Sequence, residues 1–320
     1  MSGKGARAAA TTATRVALYT HEACFDHDPG PAHPEAVARL AAVLEALDDN
    51  VFAGLVRLQA PRASRAQLAR VHTRRLIDSI LEHGPLHYWR MLDADTMMSP
   101  GSAEAALRAA GAVCAAVDGA LGEGATRAFC AVRPPGHHAT HDTAMGFCLF
   151  NNIAVGAAHA LAEHGLKRVA IVDFDVHHGN GTQDIFWNEP RVLYASSHQD
   201  PLYPGTGARS DTGVGNIVNV PLPAGAGAVE FRTACTQVIL PALDAFAPQL
   251  LMISAGFDAH RLDPLANLEL TEEDYAWITR ELVALAERHA SGRIVSTLEG
   301  GYHLGALRAS VAAHVFALMT

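Results

Sequence analysis

Val169-Ala170-Ile171-Val172-Asp173-Phe174-Asp175-Val176-His177-His178-Gly179-Asn180-Gly181 is the stretch that decides the fold. Its first four residues are apolar without interruption, as expected of a strand buried on both faces of a parallel sheet. The acids, imidazoles and glycines that follow read as a loop at the strand's carboxyl end. Leu250-Leu251-Met252-Ile253 repeats the pattern and runs into Ser254-Ala255-Gly256-Phe257-Asp258. Phe129–Val132 and Arg293–Thr297 do the same, the first into Arg133-Pro134-Pro135-Gly136-His137-His138, the second into Glu299-Gly300-Gly301-Tyr302-His303.

Outward from these runs, strand-like and helical segments alternate. Strands are expected at Val16–Tyr19, Leu55–Leu58, Val192–Ser196 and Ile217–Val220. Helices are expected at Pro34–Leu47, Ser102–Leu121, Asn151–His164, Ala228–Phe246, Thr271–His289 and Leu304–Leu318, and Ser64-Arg65-Ala66-Gln67 reads as a capping box. Such alternation predicts an α/β fold with right-handed crossovers. No linker or repeat divides it, so the reading is one domain over residues 15–320 behind a flexible tail at residues 1–14. In such sheets ligands sit beyond the carboxyl ends of the strands, which is where the polar clusters fall.

Composition narrows the function. The 320 residues are 49% hydrophobic and 18% charged, with a net charge of −9, so a basic nucleic-acid footprint is not expected. A cationic partner suits that charge better. The longest stretch free of Asp, Glu, Lys and Arg, Thr143–Ala162, carries Asn151, Asn152 and His159 and fails as a membrane span. Five cysteines without a CxxC spacing point to reduced thiols and a cytoplasmic location. The 18 histidines, several in Gly-, Asp- or Pro-flanked pairs, point to metal or acid/base chemistry.

Alternate residues of an extended segment share a face, so Asp173, Asp175 and His177 point one way. With Asp258 from the neighbouring pattern, Asp175 and His177 make a three-ligand set that leaves a position for water, the form of a catalytic zinc site. The Pro134-Pro135-Gly136 turn presents His137 and His138 at a fixed place, suited to acid/base work. Gly300-Gly301 allows Tyr302 to hold its hydroxyl toward an oxyanion, although a packed turn is the plainer reading of that tripeptide alone. The spacing His21-x2-Cys24-x2-His27 is too weak to count as a second metal site.

Together these segments resemble the histone deacetylase superfamily, which includes acetylpolyamine amidohydrolases. Gly146-Phe147-Cys148-Leu149-Phe150-Asn151-Asn152, Tyr203-Pro204-Gly205-Thr206-Gly207, His33-Pro34-Glu35 and Arg39 extend the likeness over nearly the whole chain. The resemblance implies the arginase/deacetylase fold, a central parallel sheet of about eight strands flanked by helices. Asn180 stands where class I members carry Asp, which is the class II pattern. The resemblance also implies roles: Asp175, His177 and Asp258 for Zn2+, His138 as general base and then acid, His137 oriented by Asp173, His138 by Asn180, and Tyr302 at the oxyanion. Gly146, Phe147, Tyr203 and Leu265 resemble the acyl-lysine tunnel, and Asp93 and Asp95 its rim. A structural K+ is implied at Asp173, Asp175, His177, Ser196 and Ser197. Where polyamine-selective members carry Glu, this chain has Leu265, which leaves no charge for a distant ammonium. The expected substrate is therefore an acylated lysine peptide or a small acylated amine, with acetylpolyamines as the alternative. A homo-oligomer is compatible with the sequence. A ureohydrolase would need further acids where His178-Gly179-Asn180 stands, and a catalytically silent acyl-lysine binder would not need the full set.

Overall fold

The apolar runs become the strands of a single sheet in the computed structural model, which describes residues 15–320. The tail expected at residues 1–14 lies outside the described residues. In chain order, β1 (Val16–Thr20), α1 (Val37–Ala46) and β2 (Val56–Gln59) are followed by α2 (Arg65–Leu68), α3 (Arg74–Leu81) and a small antiparallel pair, β3 (Arg90–Met91) and β4 (Met97–Met98). α4 (Ser102–Leu121) leads to β5 (Arg127–Cys130), α5 (Asn152–Glu163) to β6 (Val169–Asp173), and α6 (Asn180–Phe186) to β7 (Val192–Gln199). β8 (Ile217–Leu222), α7 (Ala228–Ala234), α8 (Leu240–Phe246), β9 (Leu250–Ala255), α9 (Glu272–His289), β10 (Ile294–Leu298) and α10 (Leu304–Met319) complete it.

The central sheet has 8 strands in the order β2-β1-β5-β10-β9-β6-β7-β8, all parallel. The expected architecture is thus the observed one. All residues of β5, β6, β9 and β10 are buried, which is why their sequences lack the polar alternation of a one-sided sheet. α4 packs on α5, and α1, α10 and α9 pack together as another layer.

Two helices depart from the expected boundaries. The first begins at Val37 rather than Pro34, because the backbone N–H of Glu35 donates to His33 Nδ1 and the Glu35 side chain turns into the core. The stretch Ala228–Phe246 is interrupted by a π-turn at Cys235–Ile239. Pro241 has no N–H for the carbonyl four residues back, and a wider turn absorbs the missing bond. No helix among the described residues is long and apolar enough to cross a membrane.

The four motif-bearing strands, β5, β10, β9 and β6, are neighbours at the middle of the sheet. Their carboxyl-terminal loops therefore converge on one place.

Candidate metal centre and active site

Asp175 and His177 follow β6 and Asp258 follows β9, one strand away. His177 Nδ1 lies 3.1 Å from both Asp175 Oδ1 and Asp258 Oδ2, and one donor atom from each residue falls within 4.8 Å of the others. Backbone amides fix the carboxylates: His177 N donates to Asp175 Oδ1 at 2.9 Å, Gly300 N to Asp175 Oδ2 at 2.8 Å, and Val176 N to Asp258 Oδ1 at 2.9 Å. A Cβ on Gly300 would stand 2.0 Å from Asp258 Oδ2, so only glycine lets β10's loop close over the acids.

This donor set fits a divalent cation. Both carboxylates are buried, and among the described residues no Lys or Arg side chain bonds to either. Burial and the adjacent Asp175 charge lift Asp258 to about 7. Two like charges in a dry site need a positive partner. One imidazole and two carboxylates are ligands zinc accepts.

The two tandem imidazoles differ. His137 Nδ1 lies 2.9 Å from Asp173 Oδ2, and its Nε2 lies 3.8 Å from Asp175 Oδ2. Burial alone would lower His137, but the Asp173 and Asp175 carboxylates outweigh it and hold the ring well above the ordinary range. His138 Nδ1 lies 2.8 Å from Asn180 Oδ1. Burial first, then the His137 and His177 rings, hold His138 well below the ordinary range. Because the Asn180 oxygen can only accept, the neutral His138 ring keeps its proton on Nδ1 and leaves the Nε2 lone pair free. Asp173 also accepts from Tyr194 Oη at 3.0 Å.

A cavity of about 240 Å³ opens beside these groups, lined by Asp95, His138, Gly146, Phe147, His177, Leu202, Tyr203, Leu265 and Tyr302. Phe147 and Tyr302 meet edge to face at 5.9 Å, and Tyr203 faces His138 at 5.2 Å. Gly146 has φ +57°, and a Cβ there would meet the His138 ring at 2.5 Å. Of the two acids expected at the rim, Asp95 is there: its Oδ1 accepts from Gly146 N at 3.2 Å. Asp93 does not line the cavity itself; its carboxylate accepts from the next residue's amide, Ala94 N, at 2.5 Å, and, after burial and Asp95, its charge helps push the Tyr203 phenol up. Asp173 pairs with Ser196 across β6 and β7, with Ser197 next along. That brings the expected monovalent-cation donors together, although Ser196 Oγ also bonds His198 Nδ1 at 2.9 Å.

The family model for the histone deacetylase domain matches residues 33–318. The chain belongs to the histone deacetylase family. It is 40% identical to a probable deacetylase of Archaeoglobus fulgidus, over 90% of this chain and 81% of that one. It is 38% identical to a histone deacetylase-like amidohydrolase of Pseudomonas aeruginosa, over 90% and 82%. The crystal structure of the HDA15 HD domain superposes with a TM-score of 0.91 at 38% identity, covering 96% of this chain and 88% of that one. Membership in the histone deacetylase family places the chain among hydrolases of the deacetylase and amidohydrolase type.

This deacetylase-family site rests on groups to which the sequence reading assigned no role. Glu299 Oε2 accepts from Gly136 N at 2.6 Å and His137 N at 3.2 Å, fixing the turn that carries the two histidines. Burial pushes Glu299 up to about 7 although His137 opposes it. Glu35 binds Arg133 through both oxygens, at 2.5 and 2.6 Å, and Arg39 at 2.9 Å. Arg39 in turn donates to the carbonyls of Gly301 at 2.6 Å and Glu299 at 2.5 Å, and lies 4.8 Å from the Tyr302 ring centre. Asp263 accepts from Tyr302 N at 2.7 Å. Beyond their place in the segments that carry the family resemblance, the available signal was charge: Glu35, Arg39 and Arg133 flank apolar runs, where an ion pair is needed if they are to be buried.

Proposed function

We propose that the chain is a zinc-dependent hydrolase that cleaves the acyl amide of acylated lysine side chains or similar amines. The observation that carries this reading is the meeting of Asp175, His177 and Asp258 with His137, His138 and Tyr302 at one end of an apolar-walled cavity. Zn2+ held by the three ligands would supply Lewis acidity, acidifying water and polarising the amide carbonyl.

The chain's own groups do the rest. His138 Nε2 takes the proton of the attacking water and returns it to the leaving amine, while Asn180 holds the ring in the tautomer that leaves Nε2 open. His137, kept cationic by Asp173, adds a positive donor beside the developing charge. The Tyr302 hydroxyl donates to the oxyanion, an interaction that strengthens as the carbonyl becomes tetrahedral. Phe147 and Tyr203 wall the path of an aliphatic side chain, and Gly146 and Leu265 leave it room. Leu265 offers nothing to a second ammonium, which favours acyl-lysine over acetylpolyamines. K+ held around Asp173 and Ser196 would brace the backbone of Asp175 and His177. Five free buried cysteines support a reducing, cytoplasmic setting.

The test is a zinc-loaded, folded sample assayed on acetyl- and trifluoroacetyl-lysine peptides and on acetylated spermidine and putrescine, compared by kcat/KM. Turnover of the lysine peptides, blocked by a hydroxamate, is expected. Absence of turnover on the whole panel sinks the enzyme reading and leaves an acyl-lysine binder.

A further inference from the structure

The opposite edge of the sheet holds a second convergence of metal-type donors. α4 and α5 run back across the parallel strands, so their carboxyl ends lie at the strands' amino edge. Asp118 sits in the last turn of α4, His159 lies near the end of α5, and His164 closes α5. Asp118 Oδ1 lies 2.7 Å from His159 Nε2 and 2.7 Å from His164 Nε2. Their donor atoms fall within 4.8 Å of one another, the only such set among the described residues besides the candidate active centre. The two imidazoles are 5.7 Å apart at 72°, so their nitrogens converge without the rings stacking. At 1.5 Å per residue, α5 separates His164 from Asn152, beside the Pro-Pro-Gly turn, by about 18 Å.

We propose that Asp118, His159 and His164 bind a first-row divalent cation, with zinc as the probe, at a site separate from Asp175, His177 and Asp258. Two imidazoles and one carboxylate are ligands such ions accept, and solvent can complete the coordination. The His159 side chain is 7% exposed and anchors the site, while Asp118 at 55% opens it to water. The converging carboxyl ends of two helices add partial negative charge, which favours a cation. Bound there, the ion ties α4 to α5 and contributes to stability rather than to the chemistry at the far edge.

The site has a built-in competitor. Arg70 Nη1 lies 2.9 Å from His159 Nδ1. A guanidinium only donates, so this contact leaves the His159 proton on Nε2, where Asp118 accepts it. Ligation through Nε2 moves that proton to Nδ1, and Arg70 must then withdraw toward Glu163, which it already contacts. Arg70 thus holds the site in its metal-free form.

The experiment is zinc titration of the metal-stripped full chain, read by calorimetry and by thermal unfolding. His164 is surface-accessible, so His164→Ala should stay folded. It should bind one zinc fewer per chain than wild type, or bind it at least about tenfold more weakly, since even outer partners of a metal ligand are worth 10–100-fold. It should also lose part of the zinc-induced rise in Tm. Asp258→Asn should keep this equivalent, which separates it from the other centre. Arg70→Ala should bind it more tightly than wild type. If His164→Ala matches wild type in stoichiometry, affinity and Tm gain, the site does not exist. If Arg70→Ala gains no affinity, the competition by Arg70 is refuted.

Discussion

Glu35→Gln isolates the buried ionic cluster beneath the candidate active site. Glu35 has no solvent exposure, and its carboxylate accepts from Arg133 Nε and Nη2 and from Arg39 Nη1, with His27 Nε2 at 3.4 Å. Glutamine keeps the shape but removes the charge, and it turns an N–H toward a guanidinium that can only donate. Two buried cations are left without their anion. Breaking a buried pair in this way costs about 3–5 kcal/mol. For a chain longer than 250 residues, 1 kcal/mol shifts Tm by about 2 °C, so the expected fall is roughly 6–10 °C. The damage should also reach turnover, because Arg39 holds the carbonyls of Glu299 and Gly301 on either side of Gly300, next to Tyr302. Urea unfolding and kcat on an acetyl-lysine peptide measure both effects. In a double-mutant cycle, Glu35→Gln and Arg39→Met should couple by more than about 1 kcal/mol, as residues in one network do. Loss of less than about 1 kcal/mol in Glu35→Gln, with kcat unchanged, would refute the idea that this cluster supports the catalytic loops.

Other predictions address single groups. Tyr302→Phe should lower kcat by about 10²–10³-fold with little change in KM, as removal of an oxyanion donor does, while a hydroxamate still binds; an unaffected kcat would exclude the hydroxyl from the reaction. Gly146→Ala places a Cβ against the His138 ring and an alanine at φ +57°. It should cost about 1–2 kcal/mol of stability and about 10²-fold in kcat/KM from a displaced base. A variant with wild-type kinetics would show that His138 tolerates the shift. His72 is lowered to about 4 by burial, and it accepts from Asn151 N while facing the Thr140 carbonyl. The unfolded chain gains a proton at this ring below about 6.5 and the folded chain does not until about 4. Stability is therefore lost as pH falls through that window, by about 3 kcal/mol at this residue. His72→Gln should show a correspondingly shallower decline than wild type; equal slopes would contradict the assignment.

The strands were legible because burial on both faces removes the polar alternation, as in Val169–Val172 and Leu250–Ile253. The metal-type cluster was legible because each donor sits a few residues past such a strand, so local sequence places it at the sheet's carboxyl edge. The supporting network was not, because its bonds span the chain: Glu35 and Arg133 are 98 residues apart, and Arg39 and Gly301 are 262 apart. No periodicity encodes such a pair. The errors have local causes. Pro34 looked like a helix start, but Glu35 was needed by Arg133. Pro241 was compatible with a helix pattern and broke its hydrogen bonding. Asp93 and Asp95 looked alike as loop acids, and no local pattern says that Asp95 is the one to bond Gly146 N and line the cavity.

The strand order carries a consequence for how the protein comes to be active. β10, last of the strands in chain order among the described residues, lies between β5 and β9 rather than at an edge. Without Ile294–Leu298 the sheet would have an open slot at its centre, and the loop carrying Glu299, Gly300 and Tyr302 would lose its anchor beside Asp175. Asp175, His177 and Asp258 all precede β10 in the chain, so the enclosure around them is complete only once this central strand is inserted.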